Sequence, residues 1–375
     1  MFADMYAGRR VFITGHTGFK GSWLSAWLLA LGARAAGFSL GVPTRPSHFE
    51  ALDLARRMED MRGDIRDRAA VTAAMQGFAP EVVFHLAAQA LVRRSYEDPT
   101  GTFEANAMGT MNVLEAVRAC PSVRAVVVIT SDKCYRNDEW VWGYRETDRL
   151  GGADPYSASK GCAEFIAHSY FKSYFADGAA SATVRAGNVI GGGDWAPDRI
   201  VPDCARAWAA HEPVAIRSPW ATRPWQHVLE PLSGYLWLGA RLLRNDAGLP
   251  PGEVAAFDPR GQAYNFGPAA DVNNTVAEVV EALALHWPGF QSVMDAAAHA
   301  GKKESTLLKL CCDKALAELS WKATLNFEET IRYTAEWYAR YYDGGATKGG
   351  MWDYTQGQIT AYGGAAAHRG LRWAR

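Results

Sequence analysis

The stretch Val11-Phe-Ile-Thr-Gly-His-Thr-Gly-Phe-Lys-Gly21 decides the fold. Residues 11–14 are an apolar, β-branched run of strand length, and residues 19–31 have the apolar spacing of a helix. The glycines between them permit a tight turn and let a pyrophosphate approach backbone N–H groups at the helix N-terminus. The stretch predicts a bound dinucleotide, and a Gly-rich turn without a ligand is the alternative. The expected contacts are Gly15, His16, Thr17, Gly18, Phe19, Lys20 and Gly21.

Short β-branched runs and helical patterns alternate outward from this stretch. Further strands are predicted at 35–39, 82–86, 125–130 and 182–185, and further helices at 67–78, 100–120 and 155–174. Such alternation implies parallel strands with right-handed crossovers. The sequence therefore predicts an α/β fold with a doubly wound parallel (Rossmann) sheet and a ligand at the carboxyl ends of its strands.

After residue 187 the chain becomes rich in Gly, Pro and Trp, and then returns to helical patterns with one predicted strand at 263–267. We expect a smaller, partly interleaved C-terminal substrate domain. Residues 1–187 and about 228–268 are assigned to the dinucleotide, and about 188–227 and 269–343 to the nucleotide sugar. Residues 344–375 hold eight glycines and have weak periodicity, so we expect a Gly-rich, poorly packed extension.

Composition excludes several classes of partner. The 375 residues include 39 Lys and Arg against 40 Asp and Glu, without long runs of either sign, so neither nucleic acid nor a membrane is an expected partner. No apolar stretch is long enough to span a bilayer, and the first residues do not resemble a leader, which favours a cytoplasmic location. Six cysteines without a C-x-x-C pair predict free thiols and no metal site.

The second predicted strand ends without the acid that holds the adenosine ribose of NAD. It reads Gly37-Phe-Ser-Leu40, and the next acid is Glu50. Arg45, Lys20 or His16 is able to meet the extra phosphate of NADP, so these residues leave the choice between NAD and NADP open. Other expected cofactor contacts are Asp64, Ile65, Ala87, Ala88 and Gln89.

Tyr156 and Lys160 lie four residues apart in a predicted helix and therefore share a face. An ammonium group there can lower the pKa of the phenol, so that the phenolate accepts a proton from a sugar hydroxyl. Ser131 follows the predicted strand at 125–130, where its hydroxyl would meet the same oxygen. Together with the glycine turn, the three residues predict catalysis, and a solvated surface helix is the alternative.

The order of these motifs, with Asn106-x-x-Gly-Thr110 between them, resembles the extended short-chain dehydrogenase family of sugar-nucleotide enzymes. The resemblance extends over roughly residues 9–342. It implies a nicotinamide dinucleotide with Asn106, Tyr156 and Lys160 beside it, a nucleotide-sugar substrate, and a homodimer formed through the helices at 100–120 and 155–174. Its most specific strings are Thr130-Ser-Asp-Lys-Cys-Tyr135, Glu139-Trp-Val-Trp-Gly-Tyr144, Gly187-Asn-Val-Ile-Gly-Gly-Gly-Asp-Trp195 and Arg223-Pro-Trp-Gln-His-Val-Leu-Glu230.

Asp132 and Lys133 distinguish the reactions of this family. Epimerases need only the hydroxyl, tyrosine and lysine, whereas dehydration also needs an acid and a base on the sugar. The resemblance implies that Asp132 protonates the departing C6 oxygen and that a neutral Lys133 removes the C5 proton. It also implies that the substrate is CDP-glucose, because the members of the family that act on CDP-glucose carry Asp-Lys at these positions. A hydro-lyase is therefore expected. Another nucleotide-hexose dehydratase, an epimerase and a non-catalytic dinucleotide sensor stay open as alternatives.

The substrate's nucleotide half is assigned to the second domain. Asn188, Arg217 and Arg223 are expected at its pyrophosphate and ribose, because a planar guanidinium can bind phosphate with two hydrogen bonds. The base is expected against Trp195 or near residues 200–202. Trp140, Trp142, Trp225 and the C-terminal tryptophans are expected to be packing groups rather than ligand platforms.

Overall fold

The computed structural model describes residues 1–216, 218–244, 257–294, 307–345, 347 and 349–375. Within them, seven parallel strands form one sheet: β1 (Arg10–Thr14), β2 (Arg34–Ser39), β3 (Glu59–Arg62), β4 (Val82–His85), β5 (Ala125–Ile129), β6 (Ala180–Ala186) and β11 (Gln262–Phe266). Their spatial order is β11-β6-β5-β4-β1-β2-β3, so the order reverses beside β1. Three short pairs are β7 (Val189–Ile190) with β10 (Gln226–His227), β9 (Thr222–Arg223) with β12 (Asn274–Thr275), and β8 (Val214–Ile216) with β13 (Ser292–Met294).

Helices cover both faces of the sheet. They are α1 (Phe19–Ala30), α2 (His48–Ala51), α3 (Arg68–Phe78), α4 (Val92–Glu97), α5 (Pro99–Phe103), α6 (Gly109–Arg118), α7 (Pro155–Ser173), α8 (Ile200–Ala210), α9 (Leu229–Arg244), α10 (Val276–Ala284), α11 (Asp313–Leu319), α12 (Phe327–Arg340) and α13 (Trp352–His368). Alternate residues of β5 face two cores: Val126 and Val128 pack with α3, α6 and α7, and Val127 and Ile129 pack with α1 and α9. The predicted doubly wound parallel sheet is confirmed, while the division into two domains stays a prediction.

Several elements of the first half differ from the prediction, including the short helices α2 and α4, which were not expected. β3 was missed because its residues are polar and partly exposed at the edge of the sheet. The single helix expected at 100–120 is interrupted, since α5 leads into a π-helical turn at Glu104–Met108 before α6 begins. Such turns widen a helix by one residue and are frequent at functional sites. This one contains Asn106.

The expectation of a poorly packed C-terminal extension is wrong. α13 buries Thr355, Gln358, Ile359, Tyr362, Gly363 and Ala366, which recur at helical spacing. Most of these residues are polar or small, so a search for apolar periodicity does not find them. Gly363 faces Met1, and Gln356 donates a hydrogen bond to the carbonyl of Ala26 in α1, so α13 is an integral layer of the fold.

This layer explains why α1 is apolar on every side. One side of α1 packs on the sheet, and the other lies under an aromatic layer of Phe2, Trp27, Tyr362 and Trp373. The rings of Phe2 and Trp373 stack with their centroids 5.2 Å apart. Trp225 and Trp373 are buried packing groups as expected, whereas Trp142 is 71% exposed and Trp140 is partly exposed, so the expectation is wrong for these two. No helix among the described residues is long and apolar enough to cross a membrane.

Candidate active site at the carboxyl edge of the sheet

The loops after β1 and β4 meet closely at the carboxyl edge of the sheet. Gly15 has a φ of +79°, and a Cβ added there would lie 2.7 Å from the backbone nitrogen of Ala87. The loop must therefore carry glycine at this position, and it is held beside the predicted cofactor residues that follow β4. A Cβ on Gly21 would overlap the carbonyl of Gly15, so the turn closes tightly on the start of α1.

The N-terminus of α1 fits an anion. Its first helical hydrogen bond runs from the nitrogen of Ser22 to the carbonyl of Gly18, 2.8 Å away, so the N–H groups of residues 19–21 precede the helical ladder. The N-cap residue is Gly18, which has no side chain that could accept a hydrogen bond from these N–H groups. Unpaired N–H groups and the helix dipole together suit the pyrophosphate of a dinucleotide.

His16 does not meet a phosphate with its side chain, which corrects one option of the sequence analysis. The imidazole is fully buried, where Nδ1 is hydrogen-bonded to Ser39 Oγ and Nε2 to Asp60 Oδ1, each at 2.9 Å. Burial lowers its pKa, and the hydrogen bond to Asp60 acts in the opposite direction. His16 therefore joins the glycine turn to β2 and β3, and only its backbone can face a cofactor.

Lys20 is also placed differently from the expectation of a 2′-phosphate contact. Its ammonium group interacts electrostatically with Asp132 and Lys160 at the predicted catalytic centre. Burial lowers its pKa to about 8, and the nearby Arg199 guanidinium lowers it further, whereas Asp132 raises it. Arg45 follows β2, where its side chain is 83% exposed, 3.8 Å from Glu50, on a cavity of about 720 Å³. Its contact with a 2′-phosphate stays a prediction.

The loop after β4 is fixed by amide side chains. Asn106 accepts a hydrogen bond from the nitrogen of Gln89 and donates to the Gln89 carbonyl and to Ser159 Oγ. The Gln89 side chain in turn donates hydrogen bonds to the carbonyl of Leu91 and to Thr102 Oγ1, and accepts one from the nitrogen of Leu91. Both amide nitrogens use their two N–H donors within the protein, so these side chains support the loop Ala87–Ala88–Gln89. Each amide oxygen accepts one hydrogen bond, and a direct contact of these oxygens with the cofactor stays a prediction.

Other predicted cofactor residues lie around the same cleft. Thr17 donates to the carbonyl of Gly41 at 2.6 Å, and Phe19 lies beside Gly191. A hydrogen bond from Arg66 holds the pKa of Asp64 below its usual value, and Ile65 is buried against Gly109. Ala88 follows Ala87, whose nitrogen donates to Thr14 Oγ1.

The turn after β5 carries the predicted acid and base. Ser131 Oγ donates to Asp132 Oδ1 at 2.9 Å and accepts from the nitrogen of Lys133 at 3.3 Å. Asp132 is buried, and Lys133 is half-buried. Gly187, after β6, leaves room for the carboxylate, because an added Cβ would lie 3.2 Å from Asp132 Oδ2. Ser131 and Asp132 are thereby fixed at the end of β5.

Tyr156 and Lys160 face this turn from α7. Asp154 caps the helix by accepting a hydrogen bond from the nitrogen of Ser157, and Pro155 occupies its first position. Burial raises the pKa of Tyr156 to about 12, whereas a hydrogen bond with Ser131 and the charge of Arg199 lower it. Burial lowers the pKa of Lys160 to about 8. The pKa of Tyr156 is therefore raised and not lowered as expected, and the groups that oppose this rise are Ser131 and Arg199 rather than Lys160.

Sequence reasoning missed Arg199 and Asp194. Arg199 lies just before α8 and its guanidinium contacts the buried Asp194 carboxylate at 2.8 Å. Arg199 also interacts electrostatically with Tyr156 and Lys20, which places a further cation at the centre beside Lys20 and Lys160. The signal was a charged residue directly before a helix, within the Gly-rich region already singled out.

The substrate-side residues have mixed outcomes. Asn188 follows Gly187 and its carbonyl accepts a hydrogen bond from Gln226, and Arg223 lies in β9 beside Pro224, which contacts Gly187. Arg217 lies outside the described residues. Trp195 is only 4% exposed and lies among the rings of Trp337, Tyr338 and Tyr341, so its assignment as a platform for the base is wrong.

Comparison with known proteins gives a consistent result. A sequence model of the family described as GDP-mannose 4,6 dehydratase matches residues 12–334. The chain is 46% identical over 348 residues to the CDP-glucose 4,6-dehydratase of Salmonella typhimurium, with 91% of this chain and 93% of that protein covered. It is 26% identical to a probable dTDP-glucose 4,6-dehydratase of Sinorhizobium fredii, over 88% of this chain and 92% of that one.

Solved structures confirm the fold. A Streptomyces venezuelae dTDP-glucose 4,6-dehydratase with NAD bound has a TM-score of 0.69 at 22% identity and covers 88% of this chain and 97% of that one. A Thermus thermophilus UDP-glucose 4-epimerase in complex with NAD has a TM-score of 0.72 at 25% identity, with 88% and 99% covered. Because the family model spans most of the sequence, and a relative 46% identical spans nearly all of it, the chain belongs to the GDP-mannose 4,6 dehydratase family of extended short-chain dehydrogenases.

Proposed function

We propose that the chain catalyses the 4,6-dehydration of CDP-glucose to CDP-4-dehydro-6-deoxyglucose and water, a precursor for deoxysugar and polysaccharide assembly. One observation carries this proposal: an acid and a base, Asp132 and Lys133, follow the hydroxyl of Ser131 in a single turn that faces Tyr156 and Lys160. The CDP-glucose dehydratase of Salmonella typhimurium, 46% identical, supports the choice of nucleotide. An epimerase would not require the acid and base.

The glycine turn fits a nicotinamide dinucleotide, which supplies a hydride acceptor for C4 of the sugar and a hydride donor for C6. Tyr156 accepts the proton of the C4 hydroxyl, helped by the Ser131 hydrogen bond and the charge of Arg199, both of which lower its pKa. Lys133 removes the C5 proton and returns it to C5 when C6 receives hydride, and Asp132 donates a proton to the C6 oxygen as the C6–O bond breaks and water leaves. The proton that Tyr156 accepts balances the one that Asp132 gives. Lys20 and Lys160 add positive charge where these oxygens carry negative charge.

We infer that NAD is the preferred cofactor. Ser39 Oγ, at the end of β2, is hydrogen-bonded to His16, and the exposed Arg45 lies beside Glu50. A 2′-phosphate would meet that carboxylate as well as the guanidinium. Quenching of tryptophan fluorescence by NAD and by NADP measures the two dissociation constants, and tighter binding of NADP would overturn the inference.

We also infer a cytoplasmic homodimer. Met108, Phe165 and Tyr174 are exposed apolar residues within 100–120 and 155–174, where the family resemblance places the contact. The six cysteines are free, as is usual in a reducing compartment. Light scattering should give twice the mass of the chain, and Phe165→Glu should give the monomer. A monomeric parent protein would refute the dimer.

The activity is tested with the purified protein, CDP-glucose, dTDP-glucose and GDP-mannose, each with NAD or NADP. Mass spectrometry should detect a product lighter by one water from CDP-glucose with NAD. CDP-glucose recovered unchanged, or merely epimerised, would refute the proposal. Faster dehydration of either other nucleotide sugar would keep the reaction and change the substrate.

A further inference from the structure

A buried ion pair lies behind the catalytic centre. Glu164 of α7 and Arg185 of β6 are each only 4% exposed at their side chains. Arg185 Nε contacts Glu164 Oε1 at 2.9 Å, and Arg185 Nη2 contacts Oε2 at 2.8 Å, so the contact is bidentate. Burial acts to raise the pKa of Glu164, but hydrogen bonds and charge from Arg185 outweigh it and the pKa is lowered. Glu164 is therefore an anion in the folded protein.

The pair is joined to the turn that carries Ser131, Asp132 and Lys133 and to the helix that carries Tyr156 and Lys160. Thr130 at the end of β5, directly before Ser131, donates to one oxygen of Glu164, and Thr183 of β6 donates to the other at 2.9 Å. Arg185 Nη1 donates to the hydroxyl of Tyr135 at 2.7 Å, just after the turn with Asp132 and Lys133. Glu164 itself lies on α7, four residues after Lys160 and eight after Tyr156.

The same network reaches the second half of the chain. The Tyr135 hydroxyl donates to Asn265 Oδ1 of β11 at 2.8 Å, and Asn265 Nδ2 donates to the carbonyls of Tyr144 and Cys311. Arg185 also donates to the carbonyl of Glu146. The ion pair of Glu164 and Arg185 thus connects the turn after β5, helix α7 and the segment at 135–146 that follows the turn.

We propose that Glu164 and Arg185 are positioning residues, which hold the turn with Ser131, Asp132 and Lys133 against the helix with Tyr156 and Lys160. The pair touches neither substrate nor cofactor. Its effect on catalysis rests on the proposed dehydration, whereas its effect on local order does not. A misplacement of about 1 Å between two catalytic groups can cost on the order of 100-fold in rate.

Glu164 also acts on Lys160 through its charge. Burial lowers the Lys160 pKa, and the Glu164 carboxylate, one helical turn away, raises it. Other titratable groups face Lys160: Lys20 from the glycine turn, His85 from β4, and Cys134 from the catalytic turn. Burial lowers the pKa of His85 to about 3 and raises that of Cys134, so both are neutral near pH 7. Loss of the Glu164 charge should therefore lower the pKa of Lys160 further.

Glu164→Gln tests the proposal, with Glu230→Gln as the matched control. Glu230 is an equally buried carboxylate that accepts hydrogen bonds from the nitrogens of Thr324 and Leu325, away from the catalytic turn. Glu164→Gln should lower kcat roughly 10- to 100-fold with little change in KM, and should move the basic limb of the kcat profile to lower pH. Glu230→Gln should change neither. The positioning role would be overturned if Glu164→Gln and Glu230→Gln had the same activity at the same thermal stability and the pH profile of Glu164→Gln matched that of the parent protein.

Hydrogen exchange read by mass spectrometry separates this test from the proposed function, because it needs no substrate. Glu164→Gln should increase exchange in segments 131–135 and 155–163, and Glu230→Gln should increase it in segments 322–330 and 355–369 instead. Unchanged exchange in the first two segments refutes the positioning role even if the enzyme dehydrates CDP-glucose. A parent protein that dehydrates no nucleotide sugar refutes the proposed function, and the exchange result then decides the positioning role alone.

Discussion

The carboxyl edge of the sheet and the aromatic layer over α1 are built in opposite ways. At the edge, cations and carboxylates meet in a small space, and burial brings the pKa values of Lys20 and Lys160 to about 8. The aromatic layer of Phe2, Trp27, Tyr362 and Trp373 contains stacked and edge-to-face rings from both ends of the chain. Lysine side chains at the edge can change protonation state near neutral pH, whereas the aromatic layer contributes only to the stability of the fold. Substitutions in the two regions should therefore affect different measurements.

The largest effect is expected at the edge, from Asp132→Asn. Without the acid, the C6 oxygen leaves unprotonated, so dehydration should fall by roughly 10²- to 10⁴-fold. Oxidation at C4 should slow much less, because it depends on Tyr156. Single-turnover measurements should show reduced nicotinamide accumulating before any loss of water.

The control for this substitution is Asp138→Asn, which changes an exposed carboxylate paired with Arg136. Its dehydration rate should match that of the parent protein. If Asp132→Asn slows oxidation and water loss by the same factor, Asp132 is not the acid.

In the aromatic layer, Trp373→Ala should act on stability alone. Its indole is fully buried and contacts Phe2, Trp27 and Tyr362. Truncating a buried Trp costs about 3–5 kcal/mol of the free energy of unfolding. Urea unfolding measures this loss, while kcat of the folded protein should be unchanged.

Trp142→Ala is the matched control, since that side chain is 71% exposed. It should change the free energy of unfolding by less than about 0.5 kcal/mol. A similarly small loss for Trp373→Ala would mean that the layer does not contribute to the stability of the fold.

A smaller effect is expected from crowding the edge with Gly187→Ala. The new Cβ would lie 3.2 Å from Asp132 Oδ2 and must displace it by a few tenths of an ångström. We expect dehydration to fall about tenfold, because the acid loses its alignment with the C6 oxygen. Gly178→Ala, whose nearest neighbours are at 3.6 Å or more, should leave the rate unchanged. Equal rates for the two variants would show that the position of Asp132 tolerates this shift.

The two regions also differ in how far the sequence predicts them. The edge is predictable because its chemistry requires particular residue types at fixed spacing, as in the glycine turn and in Tyr156 and Lys160. The layer is not, since α13 buries polar and small residues such as Gln358 and Gly363, whose burial depends on distant partners. One signal was present in the sequence: a helix that is apolar on every side, as α1 is, must be covered on every side.

At the edge, too, the sequence predicts which residues lie near the site but not which partners their side chains contact. His16 and Asn106 were expected at the cofactor, and their side chains bind Ser39, Asp60, Gln89 and Ser159. Spacing shows that a residue lies near a ligand, not which way its side chain turns. Arg185 was predicted within a buried strand, and a buried guanidinium needs an acid. That requirement was the available signal for Glu164.

The smallest effect expected is the pH dependence contributed by Glu230, where α9 meets α13. Burial raises its pKa from 4.5 to about 7, while hydrogen bonds from the backbone of Leu325 and Thr324 act in the opposite direction. The folded state therefore binds a proton more tightly than the unfolded state. The stabilisation from this proton is complete below about pH 4.5 and is lost as the pH rises through 7. Between those values, it should fall by at most about 1.4 kcal/mol per pH unit.

Glu230→Gln removes this dependence, because an amide does not titrate. The free energy of unfolding of the parent protein, minus that of the variant, should therefore decrease as the pH is raised from 5 to 7. Urea unfolding of both proteins at several pH values measures the difference. A difference that stays constant, or that increases with pH, would mean that the carboxylate is accommodated as an anion, with the N–H groups of Thr324 and Leu325 and the Tyr362 hydroxyl sufficient to stabilise it. In that case the junction with α13 would resemble the charged edge of the sheet more than the aromatic layer beside it.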